Sequence, residues 1–181
     1  MENNLTFQLI RDENFKGLPE LEELYESSFP EAERRTFAKL LTLLQEPNMY
    51  LHAVQLDSTL VGMSVHWLFE EFTYLEHLAI VPAFQGRRIG QQATKWLLTQ
   101  SPHPVVLEVE RPLDSFSKRR IGFYERLGFF LHSRLDYHQP PYAPGADSVP
   151  MYLMSRPMLP HGATIQKIAD QLREQVFERF Y

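Results

Sequence analysis

The sequence predicts an α/β fold, a mixed β-sheet with helices on its faces. Three observations carry this. Tyr50–Leu56 alternates as a strand, Asp57-Ser58 marks a turn and Leu60–Leu68 resumes as a strand, which reads as a hairpin. Leu75 to Gly90 (LEHLAIVPAFQGRRIG) passes from an apolar run through a proline and a polar turn into a pattern of helical period. A second strand-to-helix unit follows at Val105–Leu127. Hairpins and crossovers in one chain argue against a purely parallel sheet.

The elements are justified in order. Leu5–Ile10 reads as a first strand. Leu18–Ser28 and Ala32–Leu44 have helical spacing, with Leu18, Leu21, Leu24 and Tyr25 in the first and Phe37, Leu40, Leu41 and Leu44 in the second. Phe29-Pro30 separates them. After the hairpin, Phe72–Val81 is a third long strand, and Gly86–Gln100 is a helix ended by Pro102 and Pro104. Val105–Glu110 is a strand, Ser117–Leu127 a helix, and Gly128 takes the position of a C-terminal glycine. Phe129–Leu135 reads as a strand, the proline-rich Tyr137–Asp147 as an ordered loop and Val149–Ser155 as a last strand. Ile165, Ile168, Ala169, Leu172, Val176 and Phe180 give a final helix one apolar face. The expected organisation is one domain over residues 1–156, followed by an amphipathic helix at 157–181 that packs on it or on a partner.

The 181 residues are 44% hydrophobic, enough for a sizeable core, with a net charge of −5 that argues against nucleic-acid partners. The absence of cysteine excludes disulfides, thiolate zinc sites and cysteine nucleophiles. The N-terminus lacks a signal-peptide pattern and no apolar run approaches the ~20 residues of a membrane span, so the reading is cytoplasmic, without a membrane partner. The histidines show no metal-ligand spacing, so no metal is expected.

A strand-loop-helix junction presents backbone N–H groups where a phosphate can bind. Helix starts ordinarily favour anionic side chains. Here Arg87 and Arg88 open one helix, and Lys118, Arg119 and Arg120 open the next crossover helix. These are five of the 18 Lys and Arg residues, and they point to an anion site.

These residues resemble the GNAT superfamily of N-acetyltransferases. The loop pattern reads Gln85-Gly86-Arg87-Arg88-Ile89-Gly90, with Arg88 where the family has glycine. A second pattern is complete as Phe123-Tyr124-Glu125-Arg126-Leu127-Gly128-Phe129, and Ser117 stands where the helix often begins with Asn. The resemblance spans roughly Leu5 to Arg156. It implies a central sheet that splays between its fourth and fifth strands, here Phe72–Val81 and Val105–Glu110, with acetyl-CoA in the gap. It places pantetheine along the backbone of Leu78, Ala79, Ile80 and Val81. The pyrophosphate falls to Gln85, Gly86, Arg87, Arg88, Ile89 and Gly90, with Ser117 and Arg120 also cofactor-binding.

The same resemblance implies acetyl transfer to a primary amine by direct attack in a ternary complex. Tyr124 matches the tyrosine that protonates the departing thiolate. Three carboxylates compete for the base, Glu108, Glu76 and Glu110, and a glutamate inside a strand is uncommon enough to need a reason. Glu108 and Glu110 fall on one side of their strand. Residues 12–33 hold eight carboxylates, Asp12, Glu13, Glu20, Glu22, Glu23, Glu26, Glu31 and Glu33, which could draw a cationic amine. Tyr137, Gln139 and Tyr142 are candidates for the acceptor pocket. His66 and His77 read as packed or surface residues. The alternative function is a non-catalytic acyl-CoA-binding module or sensor. The amine is a small molecule or a peptide, and the protein a monomer or homodimer.

Overall fold

The computed structural model describes residues 5–160 and 162–181. The chain forms two compact units, Met1–Glu31 with Thr36–His103, and Ala32–Arg35 with Pro104–Tyr181. Among the described residues the elements are eight strands and five α-helices, the mixed α/β class that the sequence predicts.

The first unit is built on four antiparallel strands, β1 (Leu5–Ile10), β2 (Met49–Leu56), β3 (Thr59–Leu68) and β4 (Thr73–Ile80), in that order. The β2–β3 hairpin closes through Asp57 and Ser58, both at positive φ (49° and 66°). That is the two-residue turn whose twist matches its strands. Gly62 is required by close approach, since a Cβ there would meet the Ala79 carbonyl oxygen at 2.6 Å. The β3–β4 register pairs Val65 with His77 but His66 with Leu75, so Glu76 is the extra residue of a β-bulge.

Helices cover both faces of this sheet, which is why β2 and β3 are buried almost throughout. On one face α1 (Leu18–Ser28) brings Tyr25 against His77, ring centroids 5.1 Å apart. On the other, α3 (Ile89–Gln100) stacks Trp96 on Phe7 at 4.0 Å. The predicted helix Ala32–Leu44 is broken. A 3-10 turn at Glu31–Glu33 precedes a short α2 (Phe37–Thr42), because Thr36 is extended and its hydroxyl caps α2 by accepting from the Lys39 N–H.

In the second unit β8 (Val149–Arg156) pairs antiparallel with β5 (Val105–Glu110), β6 (Phe130–Leu131) and β7 (Tyr137–Gln139). Two expectations are corrected here. The strand predicted over Phe129–Leu135 is only two residues long, and Tyr137–Gln139, read as loop, is a strand. Arg111 anchors the start of β7 by donating to Asp136 at 2.8 Å and to the Tyr137 carbonyl at 3.4 Å. Such a long-range tether has no sequence pattern. Helix α4 (Ser115–Arg126) follows β5, and α5 (Ala163–Leu172) ends in a π-turn at Arg173–Phe177. Val176 and Phe177 are buried, with Phe177 against the Tyr142 ring at 4.9 Å. The buried Arg35 donates to the Val176 carbonyl and lies 4.6 Å over Tyr142.

Candidate active site

The junction after β4 is held by short-range bonds. Phe84 N–H donates to the Val81 carbonyl at 2.8 Å, and the Gln85 side chain donates to the Ile80 carbonyl at 3.0 Å. Ile89 is buried against Val54 and Val61, which seats the first turn of α3 on the hairpin. The loop itself is exposed at Gln85, Gly86, Arg87 and Arg88, with the Arg87 guanidinium 5.0 Å over the Phe84 ring.

Helix α3 starts at Ile89, not at Gly86 as predicted. Arg88 is its N-cap residue at φ 62°, and no side chain caps the helix. The first helical bond runs from Gln92 N–H to the Arg88 carbonyl, so the N–H groups of Ile89, Gly90 and Gln91 precede the ladder. Three amides and a positive dipole end therefore face a loop that also carries Arg87 and Arg88, a cradle fit for an anion. Arg88 pays for its left-handed backbone about 1–2 kcal/mol relative to a relaxed conformation. Glycine, which the resemblance expects at this position, would avoid that cost.

The second basic helix start is corrected. Helix α4 begins at Ser115 and is capped by Asp114, whose carboxylate accepts from the N–H groups of Phe116 and Ser117 at 2.9 and 2.7 Å. Those bonds, with that of the Ser117 hydroxyl, hold the Asp114 carboxyl below its usual range. Ser117 is buried and completes the capping box, so its hydroxyl is engaged within the helix end. Lys118, Arg119 and Arg120 come a turn later, and Arg120 pairs with Glu110 at 2.8 Å.

Tyr124 lies in the last turn of α4 with its ring edge-on to Phe123 at 5.0 Å. Burial pushes its phenol up to about 12, while the Arg120 charge pulls down and Glu110 pushes back. The three candidate carboxylates have separate environments. Glu76, re-aimed by the bulge, accepts from the Trp67 indole at 2.6 Å and lies 3.8 Å from His77 Nε2, with its side chain fully enclosed. Glu108 is half-buried and accepts from the Tyr137 hydroxyl. Glu110 belongs to the Arg120 ion pair.

The second unit thus collects Glu108, Glu110, Arg120, Tyr124 and Tyr137. Glu76, Leu78–Val81 and Gln85–Gly90 lie in the first. Of the eight N-terminal carboxylates seven are exposed. Glu33 alone is half-buried, and its carboxyl is raised by burial and then by Glu110, against the Arg120 charge. Nothing in the sequence distinguished Glu33 from its neighbours, nor Tyr137 as the donor to Glu108. Both depend on contacts far along the chain.

The sequence model of the Acetyltransferase (GNAT) family matches residues 18–129. A GNAT-family protein from Bacteroides thetaiotaomicron is 36% identical, covers 95% of this chain and 98% of its own, and superposes with a TM-score of 0.88. The ribosomal-protein-S18-alanine N-acetyltransferase of Escherichia coli shares the fold at 16% identity, with TM-score 0.60 over 88% of this chain and 97% of its own. Arabidopsis thaliana NAA60 in complex with acetyl-CoA does so at 16% identity, with TM-score 0.62 over 83% and 97%. A comparison with curated protein sequences finds no match. The chain belongs to the GNAT family and is an acetyltransferase. Among the described residues no helix is long and apolar enough to cross a membrane, and no group of three or more His, Cys, Asp or Glu could hold a metal.

Proposed function

We propose that the protein transfers the acetyl group of acetyl-CoA to a primary amine by direct attack. The observation that carries this reading is the uncapped start of α3 behind Arg87 and Arg88, within a family of acetyltransferases. Its free amides and two guanidinium groups suit a pyrophosphate, and Leu78–Val81 offers strand backbone to pantetheine. A family relative bound to acetyl-CoA supports the same cosubstrate.

The chemistry balances with few groups. An ammonium first gives a proton to a base. The neutral amine attacks the thioester carbonyl, the new C–N bond forms and the C–S bond breaks. The nitrogen then loses its second proton as the thiolate gains one. Glu108 is the proposed base, because its carboxylate is half-buried on a strand and steadied by Tyr137, whereas Glu76 is enclosed and Glu110 is engaged by Arg120.

Tyr124 is the proposed group at the leaving sulfur. With its phenol near 12 it keeps its proton at neutral pH. Transfer to a thiolate of ordinary pKa, about 8.5, is uphill, so Tyr124 stabilises the departing sulfur chiefly as a hydrogen-bond donor. The exposed carboxylates from Asp12 to Glu31 favour a cationic acceptor, a small-molecule or peptide amine.

The test is calorimetry with acetyl-CoA, followed by thiol release across a panel of primary amines. Saturable binding and amine-dependent release of CoA, slowed at least tenfold in Glu108→Gln, are expected. Absence of binding at millimolar acetyl-CoA overturns the reading. Binding without turnover on any amine replaces it with a non-catalytic acyl-CoA module.

A further inference from the structure

We propose that Tyr137 is the positioning residue of the base: its hydroxyl, donated to Glu108, fixes the direction of that carboxylate and keeps it ionised until the acceptor amine delivers a proton. This role rests on Glu108 being the base and adds the group that fits it for the task. Tyr137 is 4% exposed, so it acts through the carboxylate and has little surface of its own to offer a substrate.

The sheet of the second unit makes the pairing. Met151 of β8 pairs with Glu110 of β5 on one edge and with Tyr137 of β7 on the other, and Leu153 pairs with Glu108. Paired residues share a face, and so do alternate residues along a strand. Glu108, Glu110, Met151, Leu153 and Tyr137 therefore stand on one face. Tyr137 lies level with Glu110 across two strand spacings, roughly 10 Å, and Glu108 is one step further along the same face. The level carboxylate is already held by Arg120 at 2.8 Å. The phenol crosses β8 on the diagonal and meets Glu108 instead. Arg111, the residue that follows β5, holds the Tyr137 backbone through its carbonyl at 3.4 Å. The strand that carries the base thus also fixes the strand that carries its donor.

The phenol is a constant donor. Burial lifts it well above its ordinary range, helped by the Glu108 charge and by the bond between them, against the pull of Arg173. Tyr137 therefore keeps its proton through the neutral range. A half-buried carboxylate loses hydration, which favours its neutral form, and a hydrogen bond to the charged form opposes that loss. The other titratable groups around the pair are Glu33, Tyr124 and the Glu110–Arg120 ion pair, Arg111 with Asp136 and His138 about the start of β7, and Arg173 from the turn after α5. All are common to the parent and to a variant at Tyr137. They set the level at which Glu108 titrates, and the phenol sets the difference between the two proteins. In the reaction one proton passes from the ammonium to Glu108. Tyr137 gives up none, and its bond weakens as the carboxylate becomes neutral.

The experiment pairs an NMR titration of the Glu108 carboxyl in the intact protein, assigned by its loss in Glu108→Gln, with the pH dependence of kcat/KM for the most active primary amine of the panel. Tyr137→Phe, which removes only the hydroxyl, should raise the Glu108 titration by about one pH unit, the size of a lost bond to a charged group. The acid limb of kcat/KM should rise with it, and kcat should fall about tenfold while the KM for acetyl-CoA stays within about twofold. A single ring-fluorinated tyrosine at this position, a more acidic and stronger donor, should move both the opposite way. That variant keeps the ring and the hydroxyl, so the comparison with the parent stands even if Tyr137→Phe fails to fold. A Glu108 titration that neither variant moves, or that both move in one direction, overturns the role of Tyr137 whatever happens to the rate. A titration that moves while the rate profile stays fixed overturns Glu108 as the base, and the role of Tyr137 with it.

Discussion

The Phe129 N–H donates to the Tyr124 carbonyl at 3.1 Å, and the two rings meet at 68° with centroids 5.5 Å apart. Gly128 lies between them at φ 82° and its N–H donates to the Glu125 carbonyl at 2.9 Å. These two bonds and the ring contact make a Schellman ending of α4. The sequence Tyr124-Glu125-Arg126-Leu127-Gly128-Phe129 is thus a helix stop whose geometry also fixes the tyrosine proposed to act at the leaving sulfur.

Gly128 should be the least replaceable residue of that stop. Its Gly128→Ala variant faces only an ordinary contact, with Arg156 Nε at 3.4 Å, so the cost is backbone strain. A loss of about 1–2 kcal/mol is expected in urea denaturation. An unchanged midpoint would show that α4 can end differently.

Tyr124→Phe separates chemistry from folding. The Tyr124 hydroxyl makes no hydrogen bond to another described residue, so its removal should leave stability within about 0.5 kcal/mol. Turnover should fall at least tenfold with little change in the KM for acetyl-CoA. Full turnover in steady-state assays would remove the assignment.

Arg88→Gly should move two properties in opposite directions. Relief of the left-handed backbone stabilises by up to about 1 kcal/mol, less some added freedom of the unfolded chain, and raises Tm by a few degrees. Loss of the guanidinium from the proposed phosphate cradle raises the KM for acetyl-CoA. Calorimetric unfolding and initial rates read the two effects separately.

Acid should destabilise the protein through His52 and His66. The unfolded chain protonates both near 6.5, the folded chain only near 4 and 3, with Arg11 the charged neighbour of each. Between these values the unfolded state binds more protons, so stability is complete above about pH 6.5 and falls as pH drops toward 4. His66→Phe should lose about 2 kcal/mol less than the parent between pH 7 and 4.5, measured by urea denaturation. Parallel losses would place the protonation elsewhere.

Elements governed by local pattern were legible in the sequence. Leu18–Ser28, Leu5–Ile10 and Val105–Glu110 have the predicted bounds, and Asp57-Ser58 and Gly128 stop the chain where their residue types imply. Legibility ended where a distant partner decides. Arg111 holds β7 in place, and Arg35 belongs with Val176 and Tyr142 across a long stretch of chain. Lys118–Arg120 read as a basic helix start, although Asp114 with Ser117 is a local capping pattern that begins the helix a turn earlier, and only the fold shows that Arg120 answers Glu110.

The sequence by itself determined the α/β class, the junction at Gln85–Gly90 and the Tyr124 motif, because periodicity, turn chemistry and helix ends are short-range properties. Only the tertiary structure decided the roles of the glutamates. A carboxylate's chemistry depends on what its oxygens touch. Trp67 donates to Glu76, Tyr137 donates to Glu108 and Arg120 pairs with Glu110, and each of those partners is at least nine residues away in the chain.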